Sequence, residues 1–271
     1  MSLSILNNIP ALAAQNDLQS TQSSLQTTLL RLASGQRINS GADDAAGLAI
    51  ANGLQANVTA LTQSSQNAND GVGSLQVADG ALGQVTNLLN RAVTIATESA
   101  TGTVSSSQRT ALDTEYTAIK SEIDQMGQNT TFNGTSVFTS STTSIFMSDA
   151  VANSVIGVSV GTLSSSGLSL STTDLTSAAN AQTALTNIDA AISTVAQTRG
   201  KIGASINRLQ AASNVISVQV QNLTAAQDAI QGANIATEVS NLSKFSILNQ
   251  TGIAALAQAN SQQQNILQLL H

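Results

Sequence analysis

The chain has 271 residues, a length for one long domain or two compact ones, with a formal net charge of -6, 9% charged residues, 2% aromatic residues, no Cys and one His. That balance excludes a disulfide framework, a thiolate nucleophile and a His- or Cys-rich metal site. Nine Lys+Arg give none of the basic footprint that nucleic acid requires, and no apolar run approaches the roughly 18 residues of a membrane span.

After Pro10, the only proline, the spacing Leu18, Gln22, Leu25, Leu29, Leu32 predicts a helix ending at Ser34-Gly35, where Gly suits a C-cap. The segment before it, from Met1, carries no cation until Arg31. A cleaved secretory leader is therefore not expected, and any export is expected to use another route. A Gly/Asn/Ser-rich link follows up to Gly47. Ser40 or Asp43 is expected to cap the next helix, with Asp43 and Asp44 suiting its positive end.

From Ala51 a 4-3 spacing runs through Leu54, Val58, Leu61, Ala68, Val72, Leu75, Leu82, Leu89, Val93 and Ala96, interrupted by Ser65, Asp79 and Thr86. This is the pattern of helices packed on helices. A continuous helix of that length would be roughly 69 Å long at 1.5 Å per residue. Gly71, Gly73, Gly80 and Gly83 lie inside it and point to close helix contact or local fraying. Tyr116, Ile119, Ile123 and Met126 predict a shorter helix near 108–127. Between 128 and 177 the period changes: Asn133-Gly134 is a hairpin signal, and 145–147 and 155–160 read as short strands.

A second stripe runs from Ala181 through Ile188, Val195, Ile202, Leu209 and Ile216 to Ile230, interrupted by Arg199, Ser213 and Gln227. The register breaks at Gly232-Ala233-Asn234, which reads as a joint between bundle segments. A third stripe then takes Ile235, Val239, Leu242, Ile253, Leu256, Leu267 and Leu270. The fold expected is mainly α: a long antiparallel helical bundle or coiled coil built from both chain ends, with a small β-hairpin region in the middle. Terminal helices striped this way and so poor in charge are expected to be disordered alone or buried in an assembly.

Several blocks resemble bacterial flagellin. They are Leu32-Ala-Ser-Gly-Gln-Arg-Ile-Asn-Ser40, Asp43-Asp-Ala-Ala-Gly-Leu-Ala-Ile50 and Asn67-Ala-Asn-Asp-Gly71 near one end, with Gly203-Ala-Ser-Ile-Asn-Arg-Leu209, Leu256-Ala-Gln-Ala-Asn260 and Ile266-Leu-Gln-Leu-Leu270 near the other. The resemblance covers roughly 1–135 and 175–271. It implies a structural, non-enzymatic subunit without cofactor that polymerises into the flagellar filament of a motile bacterium, in a short form lacking outer variable domains. Residues 1–46 and 231–271 would form an inner domain lining the central channel, packed through Leu18, Leu25, Leu29, Leu32 and the third stripe. Residues 34–46 would be its spoke, and 47–230 the second domain, including the β region at 128–177.

The implied partners are further copies of the chain, a flagellar export chaperone, the filament cap and hook–filament junction proteins. The implied location is the extracellular flagellum. Arg31, Arg37, Asp43 and Asp44, with Glu238, are candidates for spoke and subunit contacts. A Toll-like receptor of animal hosts senses flagellins, and the segment for that contact matches here at Arg91 and Ile95 with Glu115; Val93-Thr94 departs from its usual basic–acidic pair. Family members carry O-glycans, for which Ser140, Ser141, Thr142, Thr143, Ser164, Ser165 and Ser166 are candidates. The alternatives are a hook–filament junction protein, or a secreted helical adhesin or binding module, which would not explain apolar stripes reaching both termini.

Overall fold

The structure, a computed structural model, describes residues 8–147 and 154–268, with side chains as far as residue 264. It divides into two compact units, residues 1–56 with 222–271 and residues 57–221. The helices are α1 (Ile9–Ser34), α2 (Ala45–Ala100), α3 (Ser106–Asn129), α4 (Ala178–Gln231) and α5 (Ile235–Gln268).

In the first unit, Asn8 caps α1 by accepting the Ala11 N–H at 3.1 Å, and Pro10 lies in the first turn, where a missing N–H costs nothing. Gly35 ends the helix in the left-handed conformation, φ 69°, with its N–H on the Arg31 carbonyl. α1 packs along α5. Among the less exposed positions are Ala11, Ala14, Leu18, Thr21, Leu25, Thr28 and Leu32 on α1, and Glu238, Leu242, Phe245, Asn249, Gly252, Leu256 and Ala259 on α5. Both sets keep the 4-3 spacing of a coiled-coil seam. At Gly252 the two helices come close: a Cβ there would sit 3.1 Å from Leu18 Cδ1.

This seam departs from the predicted stripes at alternate positions. Thr28 replaces Leu29, and Glu238 and Gly252 replace Val239 and Ile253. Leu29, Ile235, Val239 and Ile253 are exposed. The reason is that each helix carries apolar residues on two adjoining faces and one partner helix covers only one of them.

In the second unit, α2 and α4 run antiparallel. Ser65 meets Ser213 through their hydroxyls at 3.0 Å, and Arg199 makes a two-pronged contact with Asp79 at 2.8 and 3.2 Å. These four residues are interruptions of the two predicted stripes, and each finds its counterpart on the other helix. The same register sets Leu61, Ala68, Leu75, Leu82 and Leu89 opposite Ile216, Leu209, Ile202, Val195 and Ile188, all buried. The glycines of α2 do not fray it. Gly71 makes room for Ile145, whose side chain a Cβ would overlap, whereas Gly80 and Gly83 have nothing within 4 Å.

α3 opens with a capping box between Ser105 and Gln108. The β region is two separate antiparallel hairpins. β1 (Thr131–Phe132) pairs with β2 (Thr135–Ser136) through Asn133 and Gly134, both at positive φ, as a type I′ turn demands. β3 (Thr143–Phe146) pairs with β4 (Val155–Val158). Residues 161–177, expected within the β region, instead form an irregular strap tied to side chains of α2 and α3. Asp124 accepts from the Ser165 N–H at 2.7 Å and its hydroxyl at 2.8 Å. Asp113 accepts the Leu175 N–H at 2.8 Å, and Lys120 donates to the Thr173 carbonyl at 2.7 Å. Ser99 donates to the Leu175 carbonyl at 2.7 Å. A loop whose backbone groups are paired by side chains in this way avoids the cost of leaving them unpaired.

Candidate functional site

The link after α1 gathers charge within the first unit. Arg31 lies between two carboxylates, 3.5 Å from Asp43 Oδ1 and 3.7 Å from Glu238 Oε1. Glu238 is buried, and its Oε2 and the Arg31 Nε have no hydrogen-bond partner among the described residues. Asp43 turns its other oxygen to the N–H groups of Asn39 and Ser40 and to the Ser40 hydroxyl, at 3.0–3.2 Å. Those donors, Ser40 foremost, hold its carboxyl below the usual 3.8.

Asp44, not Ser40 or Asp43, caps α2 by accepting the Gly47 N–H at 2.8 Å. The expected caps are engaged with each other inside the link. A Cβ on Gly47 would lie 2.5 Å from Asp44 Oδ2 and 2.8 Å from Ile38 Cδ1, so a larger residue there would push both side chains aside. Arg37 is 3.8 Å from Asp44 and also donates to the end of α4: its N–H reaches the Gln231 carbonyl at 2.7 Å and its guanidinium the Ile230 carbonyl at 2.8 Å. Each of Arg31, Arg37, Asp43 and Asp44 thus has a partner within its own chain. Sequence reasoning missed the α4 carbonyls, because a backbone acceptor leaves no trace in residue type.

The terminal helices leave apolar side chains in water: Leu12 and Leu30 on α1 are 59% and 64% exposed, and Ile247 and Ile253 on α5 are 61% and 55% exposed. Leu18, Leu25, Leu32, Leu242 and Leu256 are partly covered in the α1–α5 seam. Leu270 and the side chain of Leu267 lie outside the described residues.

In the second unit, Arg91 donates to Glu115 at 2.7 Å across α2 and α3, both side chains exposed. This contact holds the Glu115 carboxyl below its usual value. Ile95, expected beside them, is fully buried and presents nothing to solvent. Of the hydroxyl candidates, Ser140, Ser141, Thr142, Thr143 and Ser166 are exposed and Ser164 partly so. Ser165 is buried and committed to Asp124, which removes it as an acceptor on the folded chain. A half-open cavity of about 440 Å³ lies between α2 and the two hairpins, with Phe132, Ile145, Phe146 and Val158 among its walls and Asp70 as its ionisable group.

Residues 5–143 match the family described as the bacterial flagellin N-terminal helical region, and residues 185–270 match the bacterial flagellin C-terminal helical region. A flagellin of Halalkalibacterium halodurans is 34% identical over 270 residues, covering 98% of this chain and 99% of that one. A flagellin of Bacillus subtilis is also 34% identical, over 301 residues with the same coverage. The flagellar filament 30.7 kDa core protein of Treponema maltophilum is 30% identical over 282 residues, again with that coverage. Among solved structures, Bacillus cereus flagellin superposes with a TM-score of 0.50 at 30% identity, over 60% of this chain and 94% of that one. The chain belongs to the bacterial flagellin family. It is a structural subunit of the flagellar filament, exported to that polymer of its own copies.

Proposed function

We propose that the chain builds its filament by moving the apolar residues that α1 and α5 leave in water against neighbouring copies. The observation that carries this reading is the exposed row Leu12, Leu29, Leu30, Ile235, Val239, Ile247 and Ile253. Covering such a row gains about 25 cal/mol per Å² of apolar surface, and that gain multiplies along a polymer while each subunit bears the ordering cost once. In this reading residues 1–46 and 231–271 form the inner layer, 34–46 the spoke and 47–230 the next layer. The paired charges of Arg31, Arg37, Asp43, Asp44 and Glu238 fix the spoke's shape within each copy.

The role is non-enzymatic: among the described residues, the cavity beside α2 sets one carboxylate, Asp70, among hydroxyls and apolar walls, with no second acid or base beside it to complete a catalytic pair. Export proceeds with an export chaperone, the filament cap and junction proteins as partners. Arg91 and Glu115, exposed together, are the contact open to a host Toll-like receptor, and the run Ser140 to Thr143 is the most open place for O-glycans.

Seeded assembly tests the reading. Soluble full-length chain is added to short filament fragments beside a chain lacking 235–271, and growth is followed by sedimentation and electron microscopy. Elongation by the full chain alone is expected. A full chain that stays monomeric on the seeds, as the shortened one does, overturns the proposal. A receptor reporter assay and intact mass test the two remaining assignments directly.

A further inference from the structure

We infer that the break between α4 and α5 is held open by the link after α1, with Arg37 as the positioning residue, and that residues 229–238 close into one continuous helix when the link releases them. Nothing local forbids that helix. The stretch has no proline, none of Gly232, Ala233 and Asn234 takes a positive φ, and Gly and Asn weaken a helix interior without breaking it.

Helical bonding continues up to both sides of the break: Gly232 N–H reaches the Asp228 carbonyl at 2.7 Å, and Glu238 N–H the Asn234 carbonyl at 3.0 Å. An unbroken helix would also pair the N–H groups of 233–237 with the carbonyls of 229–233. Several of those groups have been handed to other partners. The Ile230 carbonyl takes the Arg37 guanidinium and the Gln231 carbonyl the Arg37 N–H. The Ala233 N–H turns to the Gly35 carbonyl at 2.9 Å, and the Thr237 N–H to the Asn234 side chain at 3.2 Å. Three of these four replacements come from residues 35–37.

Remove them, and the end of α4 and the start of α5 hold unpaired groups that are each other's natural partners. Gly232 strengthens the case. A Cβ there would lie 2.5 Å from the Asp228 carbonyl oxygen, whereas an alanine fits an ordinary helix. The course of the C-terminal helix is therefore set by residues near the N-terminus. This inference rests on the fold of the first unit and stands apart from the filament reading.

The test is NMR of the isotopically labelled, soluble full-length chain, reading Cα shifts at Ala233 and Asn234 and amide exchange at Ala236. The wild-type chain is expected to show non-helical shifts at both residues and fast exchange at Ala236. Arg37→Ala removes the guanidinium's hold on Ile230 and Asp44 and leaves the link only its two backbone bonds, which yield to the helix: the shifts become helical and exchange at Ala236 slows by about five- to thirtyfold, the effect of one or two kcal/mol on a local opening equilibrium. Gly232→Ala moves both readouts the same way. Adding Ile235→Pro to Arg37→Ala restores the interruption, because proline is tolerated at a first helical position and not inside a helix. Arg37→Ala with an unchanged break, Arg37→Ala with helix lost on both sides of Gly232, or a wild-type chain already helical through 233–234 would each overturn the inference.

Discussion

Gly127→Ala should destabilise the second unit by about 2–4 kcal/mol, although it replaces a helical glycine by the best helix former. Gly127 is buried near the end of α3, where a Cβ would overlap the Leu163 carbonyl oxygen and lie 2.9 Å from its carbonyl carbon. The obstacle is backbone and cannot rotate away. It also cannot withdraw freely, because Ser165, two residues on, is tied to Asp124 by its N–H and its hydroxyl. Overpacking alone costs about 1–3 kcal/mol, and a lost hydrogen bond to a carboxylate about 1.5–3 kcal/mol. Alanine's helix propensity returns at most about 1 kcal/mol. Urea unfolding of the soluble chain, followed by circular dichroism, gives the difference from the midpoint shift. Gly80→Ala and Gly83→Ala are the controls: with nothing within 4 Å, each should stabilise by about 0.5–1 kcal/mol. If Gly127→Ala matched these controls in sign, the strap would not be held against α3 as described.

Leu89→Ala, at a fully buried seam position, should cost about 2–5 kcal/mol in the same urea titration. Tyr116→Phe should cost about 0.5–1.5 kcal/mol, since it removes the 2.6 Å bond between the phenol and the buried Thr173 hydroxyl, which keeps its own bond to the Leu170 carbonyl. As burial raises the pKa of this single tyrosine above 10.0, an ultraviolet titration should place its midpoint above that value. Asp174 is held below its usual 3.8 by the Thr176 hydroxyl and the Asn180 amide. Its contribution to stability is complete above 3.8 and is lost as the pH falls through the lower folded value, so Asp174→Asn should flatten the acid limb of a stability–pH profile.

The helices were legible because each buries one stripe along its whole length, and a stripe of 4-3 spacing survives polar interruptions such as Ser65 or Arg199. The break at 232–234 and the Asn133-Gly134 turn were legible from residue type. Other features were not. The strap at 161–177 is tied mainly by long-range bonds between side chains of α2 and α3 and its own backbone groups, and neither partner has a periodic signature. The cap of α2 was misassigned by one residue because Asp43 and Asp44 are chemically equal. Only the fold shows that Asp43 is occupied by Asn39 and Ser40. Ile95 was drawn into a surface contact by its neighbours in sequence, while its own helical phase points it into the core.

The seam between α1 and α5 shows why the same reading chose the other face of each helix. Periodicity selects the most apolar face, and on α5 that face runs through Ile235, Val239 and Ile253. Within one chain α5 instead turns Glu238, Phe245 and Gly252 to α1, because Gly252 lets Leu18 approach and Glu238 meets Arg31. The better apolar face is left over, not the worse one. A protein selected only for the stability of a lone subunit would make the opposite choice. The surplus face is what a subunit keeps when its stability is completed by its neighbours. Placing a charge there, as in Ile253→Asp, should leave the soluble chain's unfolding within about 0.5 kcal/mol of wild type and stop growth on seeds. Unimpaired growth of that variant would show that α5 meets neighbouring copies through some other face.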